Sequence, residues 1–257
     1  MKRYATKCNA ALATALLSCA FASPIVSADD FSWDGAYAGL SVGKRKVDAS
    51  WKTTSYQDPS GANLSFGTTP TASLDSNETY LNVFLGRNWQ IKPQVLVGIE
   101  GRLGNANNDE THITIPGANT DFPPDYSYVS VKSGLEASLR GRAGYLVTPN
   151  VHVYGGVGVS MLKTEVSATC PADTDFCNPA MGTQSNSESK TLNGWTAGVG
   201  VEGAFKNNLF WRAEYSYADY GSMSFAGLPA LSGESFGFAS DVDYTSKTVT
   251  LGLGYIF

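Results

Sequence analysis

Histidine is scarce in this sequence, although general acid and base chemistry near neutral pH depends on it more than on any other residue. Only His112 and His152 occur among the 257 residues. A serine hydrolase needs an imidazole beside a hydroxyl group, and these two histidines fall near opposite ends of the strands assigned below. The sequence also has no phosphate-binding glycine loop, no metal-ligand cluster and no nucleophile motif. We therefore expect no enzyme activity and no cofactor.

Long apolar runs and excess positive charge are absent too. No apolar stretch reaches the 18 residues that predict a membrane helix. Charged residues make up only 16% of the chain, and its formal net charge is −5. An acidic protein lacks the basic surface that a phosphate backbone requires, so we exclude nucleic acid as a partner.

The first 28 residues have the pattern of a secretory signal. Lys2, Arg3 and Lys7 form a basic start, an apolar stretch too short to span a bilayer follows, and small residues end at Ala28. We predict cleavage after Ala28, which leaves a single domain over residues 29–257. The stretch LLSC loosely resembles a lipoprotein processing site, so acylation of Cys19 is the alternative.

Only two cysteines lie outside this signal, Cys170 and Cys177, in the polar segment TCPADTDFCNP. Their spacing suggests a small disulfide ring that forms in an oxidising compartment. A metal site is the alternative, but no histidine lies nearby and two thiolates do not fill a tetrahedral zinc shell. We expect the disulfide and no metal.

Alternation of apolar with small or polar residues predicts eight strands and no helix after the signal. All ten prolines beyond the signal fall between the strands, as expected for a residue that cannot donate to a sheet ladder. Four connections of about 24 to 30 residues alternate with very short turns, which is typical of an antiparallel membrane barrel with four long loops on one rim. The predicted strands are 33–47, 78–90, 94–105, 131–146, 151–165, 190–205, 208–219 and 243–257.

Each predicted strand has one apolar face, which points inward in a soluble barrel and outward in a membrane barrel. In the fourth strand, Leu135 and Leu139 alternate with Glu136 and Arg140. Two features favour the membrane arrangement: the strands are long enough to cross a bilayer when tilted, and aromatic residues gather near their ends. These aromatic residues are Trp33, Trp89, Tyr145, Phe205, Trp211, Tyr255 and Phe257.

The strand sequences resemble those of the small eight-stranded outer-membrane barrels of Gram-negative bacteria, the opacity-protein-like or porin-like surface proteins. The resemblance covers all the strands and none of the long loops. It implies an all-β, eight-stranded antiparallel transmembrane barrel, surrounded by outer-membrane lipid, with short periplasmic turns and exposed long loops. The matching stretches are WDGAYAGLSVG, LGRNWQ, LVGIEG, SLRGRAGYLV, VYGGVGVS, GWTAGVGVEGAF, WRAEYSYADYG and GLGYIF.

The same resemblance assigns a role to the last strand. It implies insertion by the barrel assembly machinery, which in such proteins recognises a final strand with a terminal aromatic residue. We expect Tyr255 and Phe257 to serve in this signal and in closing the barrel against the first strand.

Charges of both signs share the polar face, and we assign them to the lumen. They could line an ion path, but an eight-stranded barrel is only wide enough for side chains to fill, and an unpaired buried charge is costly. We therefore predict ion pairs that fill the interior, small or no conductance, and lumenal glycines that make room for the arginines. The predicted lumenal charges are Glu100, Arg102, Glu136, Arg140, Arg142, Glu202, Arg212 and Glu214, and the glycines are Gly156, Gly158, Gly198, Gly200, Gly252 and Gly254.

These features predict a surface protein of the outer membrane with an envelope-structural role or a binding and adhesion role carried by its long loops. The ligand would be a host or surface molecule. Haem is less favoured, because the loops hold no metal-ligand pattern apart from His112. A narrow porin-like channel is the alternative, and an outer-membrane lipid-modifying enzyme is a third possibility.

Overall fold

The protein is a closed barrel of eight antiparallel strands, each paired with its neighbours in the chain, in a computed structural model. The structure describes residues 31–58, 60–117, 127–171, 182–205, 208–228 and 237–257, and Ala28, Cys19 and Cys177 lie outside these ranges. No helix in these ranges is long and apolar enough to cross a membrane. The strands are β1 (Gly35–Gln57), β2 (Thr71–Lys92), β3 (Val95–Ile113), β4 (Tyr128–Thr148), β5 (Val151–Cys170), β6 (Gln184–Ala204), β7 (Leu209–Phe225) and β8 (Gly237–Ile256).

All eight predicted strands are confirmed, and no proline lies inside any of them. The predicted bounds are wrong at the ends that face the long connections, where every strand continues further. For example, β1 ends at Gln57 instead of residue 47, and His112 lies in β3 instead of a loop. The four long loops are correspondingly shorter than predicted.

The first and last strands close the barrel. Leu40 pairs with Leu253 and Gly39 with Gly254 in an antiparallel register, and the Phe257 amide donates to the Ala36 carbonyl oxygen at 2.8 Å. This pairing removes the open edges that a spanning sheet would otherwise expose to lipid. The Phe257 side chain is 75% exposed beside Tyr255, and its role in assembly stays a prediction.

In the half of the barrel next to the short turns, the apolar face points outward. Leu40, Leu139, Val157 and Leu253 are each more than half exposed, while the residues that alternate with them point into the barrel. On β8 the outward apolar positions run from Val249 to Phe257, which matches the nine to eleven residues that a tilted spanning strand needs. This arrangement confirms the membrane barrel and excludes the soluble one.

In the other half, next to the long loops, the polarity of the two faces is exchanged: the outward face is polar and the inward face is apolar. On β1 the outward face changes after Val42 to Lys44 and Lys46, whereas the inward face changes to Ala49 and Trp51, both fully buried. The reversal occurs because the surroundings outside the strand change from lipid to water. We call these two parts the membrane half and the outer half.

The ring also divides in the outer half. Backbone pairing of β2 with β3 stops at Leu81 and Asn105, and pairing of β6 with β7 stops at Trp195 and Asp219. The outer half is therefore built from two sheets, β7–β8–β1–β2 and β3–β4–β5–β6, which face each other. Their inner surfaces form an apolar core that includes Trp51, Val131, Leu162, Met223 and Tyr244.

A charge placed on the outward face tests where the membrane lies. We expect Leu40→Lys to destabilise the folded barrel by about 2–4 kcal/mol, because Leu40 faces the acyl chains, and Ser50→Lys on the same face of β1 to cost less than about 1 kcal/mol. Urea titration of both variants in phospholipid vesicles, followed by tryptophan fluorescence, measures the difference. Equal costs for the two variants would contradict this position of the bilayer.

Candidate functional site

Seven buried charges form one connected network in the membrane half. They come from alternating inward positions of four strands, and none of their side chains is more than 8% exposed. Four are arginines and three are glutamates. The members are Glu100 and Arg102 on β3, Arg140 and Arg142 on β4, Glu202 on β6, and Arg212 and Glu214 on β7.

Glu100 lies at the centre of this network. Its carboxylate oxygens are 2.7 Å from Arg102 Nε and 2.7 Å from Arg212 Nη2. They also lie 2.9 Å from Arg140 Nη2 and 3.1 Å from Arg142 Nη1. The Tyr37 hydroxyl donates to the same carboxylate at 2.9 Å. One acid therefore binds all four arginines.

The other two acids each join a pair of arginines. Glu214 forms a two-pronged pair with Arg140, at 2.9 and 3.0 Å, and also contacts Arg102. Glu202 lies 2.9 Å from Arg142 and 2.6 Å from Arg212. The planar, two-pronged contact between Glu214 and Arg140 is one that arginine makes and lysine does not.

Aromatic rings surround the positive charges that outnumber the acids. The Arg212 guanidinium carbon lies 3.9 Å from the Phe84 ring centroid, and that of Arg142 lies 4.0 Å from the centroid of Tyr154. The faces of such rings carry negative potential and stabilise desolvated cations. The sequence analysis did not predict the contacts of these rings with arginines, although Phe84 and Tyr154 occupy inward-facing positions of their strands.

Glu136 lies outside the network. It binds Arg45 Nη1 at 2.9 Å, nearer to the outer half, and Ser160 donates to it at 3.2 Å. Arg45, which is fully buried, is a lumenal charge that the sequence analysis missed. The signal was present, because Arg45 alternates with the outward residues Val42 and Lys44.

An aromatic and aliphatic layer closes the lumen at the end with the short turns. This layer comprises Trp33, Tyr37, Phe84, Leu96, Leu146, Phe210 and Ile256. Trp33, predicted to belong to the interfacial girdle, instead lies inside the barrel and donates from Nε1 to the Pro149 carbonyl oxygen at 3.0 Å. His152, near the start of β5, also points into the barrel, packed edge-on against Trp33 and 3.0 Å from Glu202.

The glycine prediction is only partly correct. A Cβ on Gly198 would lie 2.9 Å from Arg140 Nη1, so this glycine does make room for an arginine. At Gly200 and Gly254, however, the Cβ would meet the rings of Tyr154 and Phe210, at 2.6 and 2.2 Å. These glycines therefore accommodate aromatic rings from the neighbouring strand.

Cys170 is the last residue of β5 and is disulfide-bonded. Its predicted partner, Cys177, lies outside the described residues, so the pairing stays a prediction. The described residues hold no group of three or more histidine, cysteine, aspartate or glutamate side chains arranged for a metal ion.

The fold agrees with comparisons to known proteins. The sequence matches the family of outer membrane protein beta-barrel domains over residues 11–257. The chain belongs to this family. Its relatives are named as outer-membrane proteins, and we therefore place it in the bacterial outer membrane.

Two relatives illustrate the family. The chain is 33% identical to a 22 kDa outer membrane protein of Rhizobium leguminosarum over 175 residues, which cover 68% of this chain and 64% of the relative. It is 25% identical to the 25 kDa outer-membrane immunogenic protein of Brucella abortus over 236 residues, or 91% and 84% of the two chains.

Solved structures share the fold. The outer membrane protein OprG of Pseudomonas aeruginosa has a TM-score of 0.51 at 17% identity, with 87% of this chain and 96% of OprG covered. The outer membrane protease OmpT of Escherichia coli also has a TM-score of 0.51, at 12% identity, with 90% of this chain and all of OmpT covered. At these identities the likeness concerns the fold and carries no activity over to this chain.

Removal of the central acid tests the network. Glu100→Gln keeps the shape of the side chain but leaves four arginines with two acids, so we expect a loss of about 3–5 kcal/mol of unfolding free energy. Glu165→Gln, on the water-facing surface of β5, is the matched control and should cost less than about 1 kcal/mol. Urea unfolding in the same vesicles compares them, and a neutral Glu100→Gln would disprove the central role of this carboxylate.

Proposed function

We propose that this protein is a surface protein of the outer membrane that acts through its outer half, without catalysing a reaction or conducting solutes. The observation that carries the proposal is the filling of the barrel at three successive levels. The aromatic layer closes one end, the charge network fills the middle, and the apolar core fills the outer half. A barrel filled in this way offers no path for solutes, so its interactions lie on its exterior.

The outer half supports a binding role. Its strands project beyond the apolar belt as two packed sheets, so the loops stand on a rigid base, and binding functions often sit on loops held by a rigid scaffold. The immunogenic naming of the Brucella relative fits a protein whose outer parts are exposed at the cell surface. An envelope-structural role is compatible with the same architecture, because the network stabilises the barrel independently of any ligand.

Conductance measurements test the closed lumen. We expect the refolded, heat-modifiable protein to give no stable current steps in planar lipid bilayers, since ions would have to displace both apolar layers and the paired charges. A general porin prepared in the same detergent serves as the positive control. Stable, reproducible steps from the folded protein would overturn this part of the proposal in favour of a channel.

Loop replacement tests the binding role. Each connection between Gln57 and Thr71, Ile113 and Tyr128, Cys170 and Gln184, or Phe225 and Gly237 can be exchanged for a short Gly-Ser linker. We expect Escherichia coli cells that display the native protein to adhere to epithelial monolayers more than empty-vector cells. At least one replacement should abolish the difference while leaving the heat-modifiable barrel intact. Equal adhesion of displaying and empty-vector cells would contradict the adhesion role.

A further inference from the structure

An apolar groove crosses the outward face of the membrane half on four adjacent strands. It is lined mainly by the side chains of Leu81 on β2, Leu40 and Val42 on β1, Leu251 and Leu253 on β8, and Trp211 on β7. Leu40 pairs with Leu253 and Val42 with Leu251 across β1 and β8. Because this face points to lipid, the groove has the shape and polarity to hold an acyl chain.

Three lysines lie directly above this groove, at the boundary with the outer half. Lys44 follows Val42 on the outward face of β1, and Lys46 follows Lys44. Lys247 pairs with Lys46 across β1 and β8. We call Lys44, Lys46 and Lys247 the lysine patch.

The charges above the groove are ordered along the strands, with lysines nearest the membrane and carboxylates further out. Lys46 contacts Asp48 and lies 3.1 Å from Asp75, and Lys247 lies 3.6 Å from Asp48. The hydrogen bonds to Asp48 and Asp75 raise the pKa of Lys46 above its ordinary value. Lys44 is closest to the groove and donates to the Thr79 hydroxyl at 3.1 Å.

The lysine patch is open to a ligand. The Lys46 and Lys247 side chains are 40% and 51% exposed, and salt bridges between exposed groups are weak enough to be exchanged for a stronger partner. A doubly charged phosphate at the membrane surface is such a partner, since each nearby lysine adds to its binding.

We propose that this face binds a phosphorylated glycolipid of the outer leaflet, with one acyl chain in the groove and a sugar-linked phosphate on the lysine patch. Two independent features meet here: an apolar groove at acyl-chain depth and a cationic patch at headgroup depth on the same strands. The geometry therefore assigns a lipid-borne phosphate, because free phosphate would use only one of them.

Binding of purified lipid A to the folded, full-length mature protein in detergent, measured by native mass spectrometry, tests this assignment. The patch variant is Lys44→Gln/Lys46→Gln/Lys247→Gln. The matched control is Lys52→Gln/Lys163→Gln/Lys190→Gln, which changes the net charge equally at lysines away from the groove. We expect the patch variant to lose at least about tenfold in affinity and the control to change less than about twofold.

Two further ligands distinguish a phosphate carried by a lipid from free phosphate. Dephosphorylated lipid A should bind native protein at least about tenfold more weakly than lipid A, and inorganic phosphate at millimolar concentration should not compete. Equal losses in both triple variants would show unspecific charge attraction and overturn the site. Undiminished binding of the dephosphorylated lipid, or competition by free phosphate, would overturn it too. If the patch variant fails to fold, Lys44→Gln alone and the two lipids still decide the question.

Discussion

The attraction between Glu100 and four arginines holds together the centre of the membrane half. Seven charges that are almost fully removed from water would each be costly alone, and they persist because every guanidinium meets at least one carboxylate and the excess positive charge meets aromatic rings. The position of Glu100 follows from strand alternation, since it shares the inward parity with Arg102 and faces Arg140 across the β3–β4 pair. The centre of the membrane half is therefore a set of mutually dependent contacts.

The second constraint is the change of surroundings along each strand. Where lipid surrounds the barrel, the outward side chains must be apolar and the charged ones lie inside. Where water surrounds it, polar side chains face outward and apolar ones lie inside. The reversal near Lys44 and Lys247 therefore marks the membrane boundary, and it also explains why the outer half can separate into two sheets. Once an apolar core such as that around Trp51 and Leu162 supports the strands, a continuous ring of backbone pairing is no longer required.

Much of this structure could be predicted from the sequence, and the failures have physical reasons. The outward apolar rows, the turns and the lumenal charges follow from alternation and proline placement. The predicted strand ends were wrong because the outward face becomes polar beyond Val42 or Met161. A stretch without apolar residues on that face has the composition of a loop. Trp33 was misassigned because an aromatic residue near a strand end is typical both of the interfacial girdle and of a layer that closes the lumen. Arg45 was missed because one basic residue between Lys44 and Lys46 looks like part of a solvated run.

The most direct test of a filled, mutually paired lumen is hydrogen exchange of the arginine side chains. In ¹⁵N-labelled protein in nanodiscs, the Nε–H signals of Arg102, Arg140, Arg142 and Arg212 can be compared with that of Arg87, which lies on the outward face. The account predicts that the four lumenal signals exchange with water far more slowly than the Arg87 signal. Exchange of the four as fast as Arg87 would reveal a hydrated lumen and contradict the account.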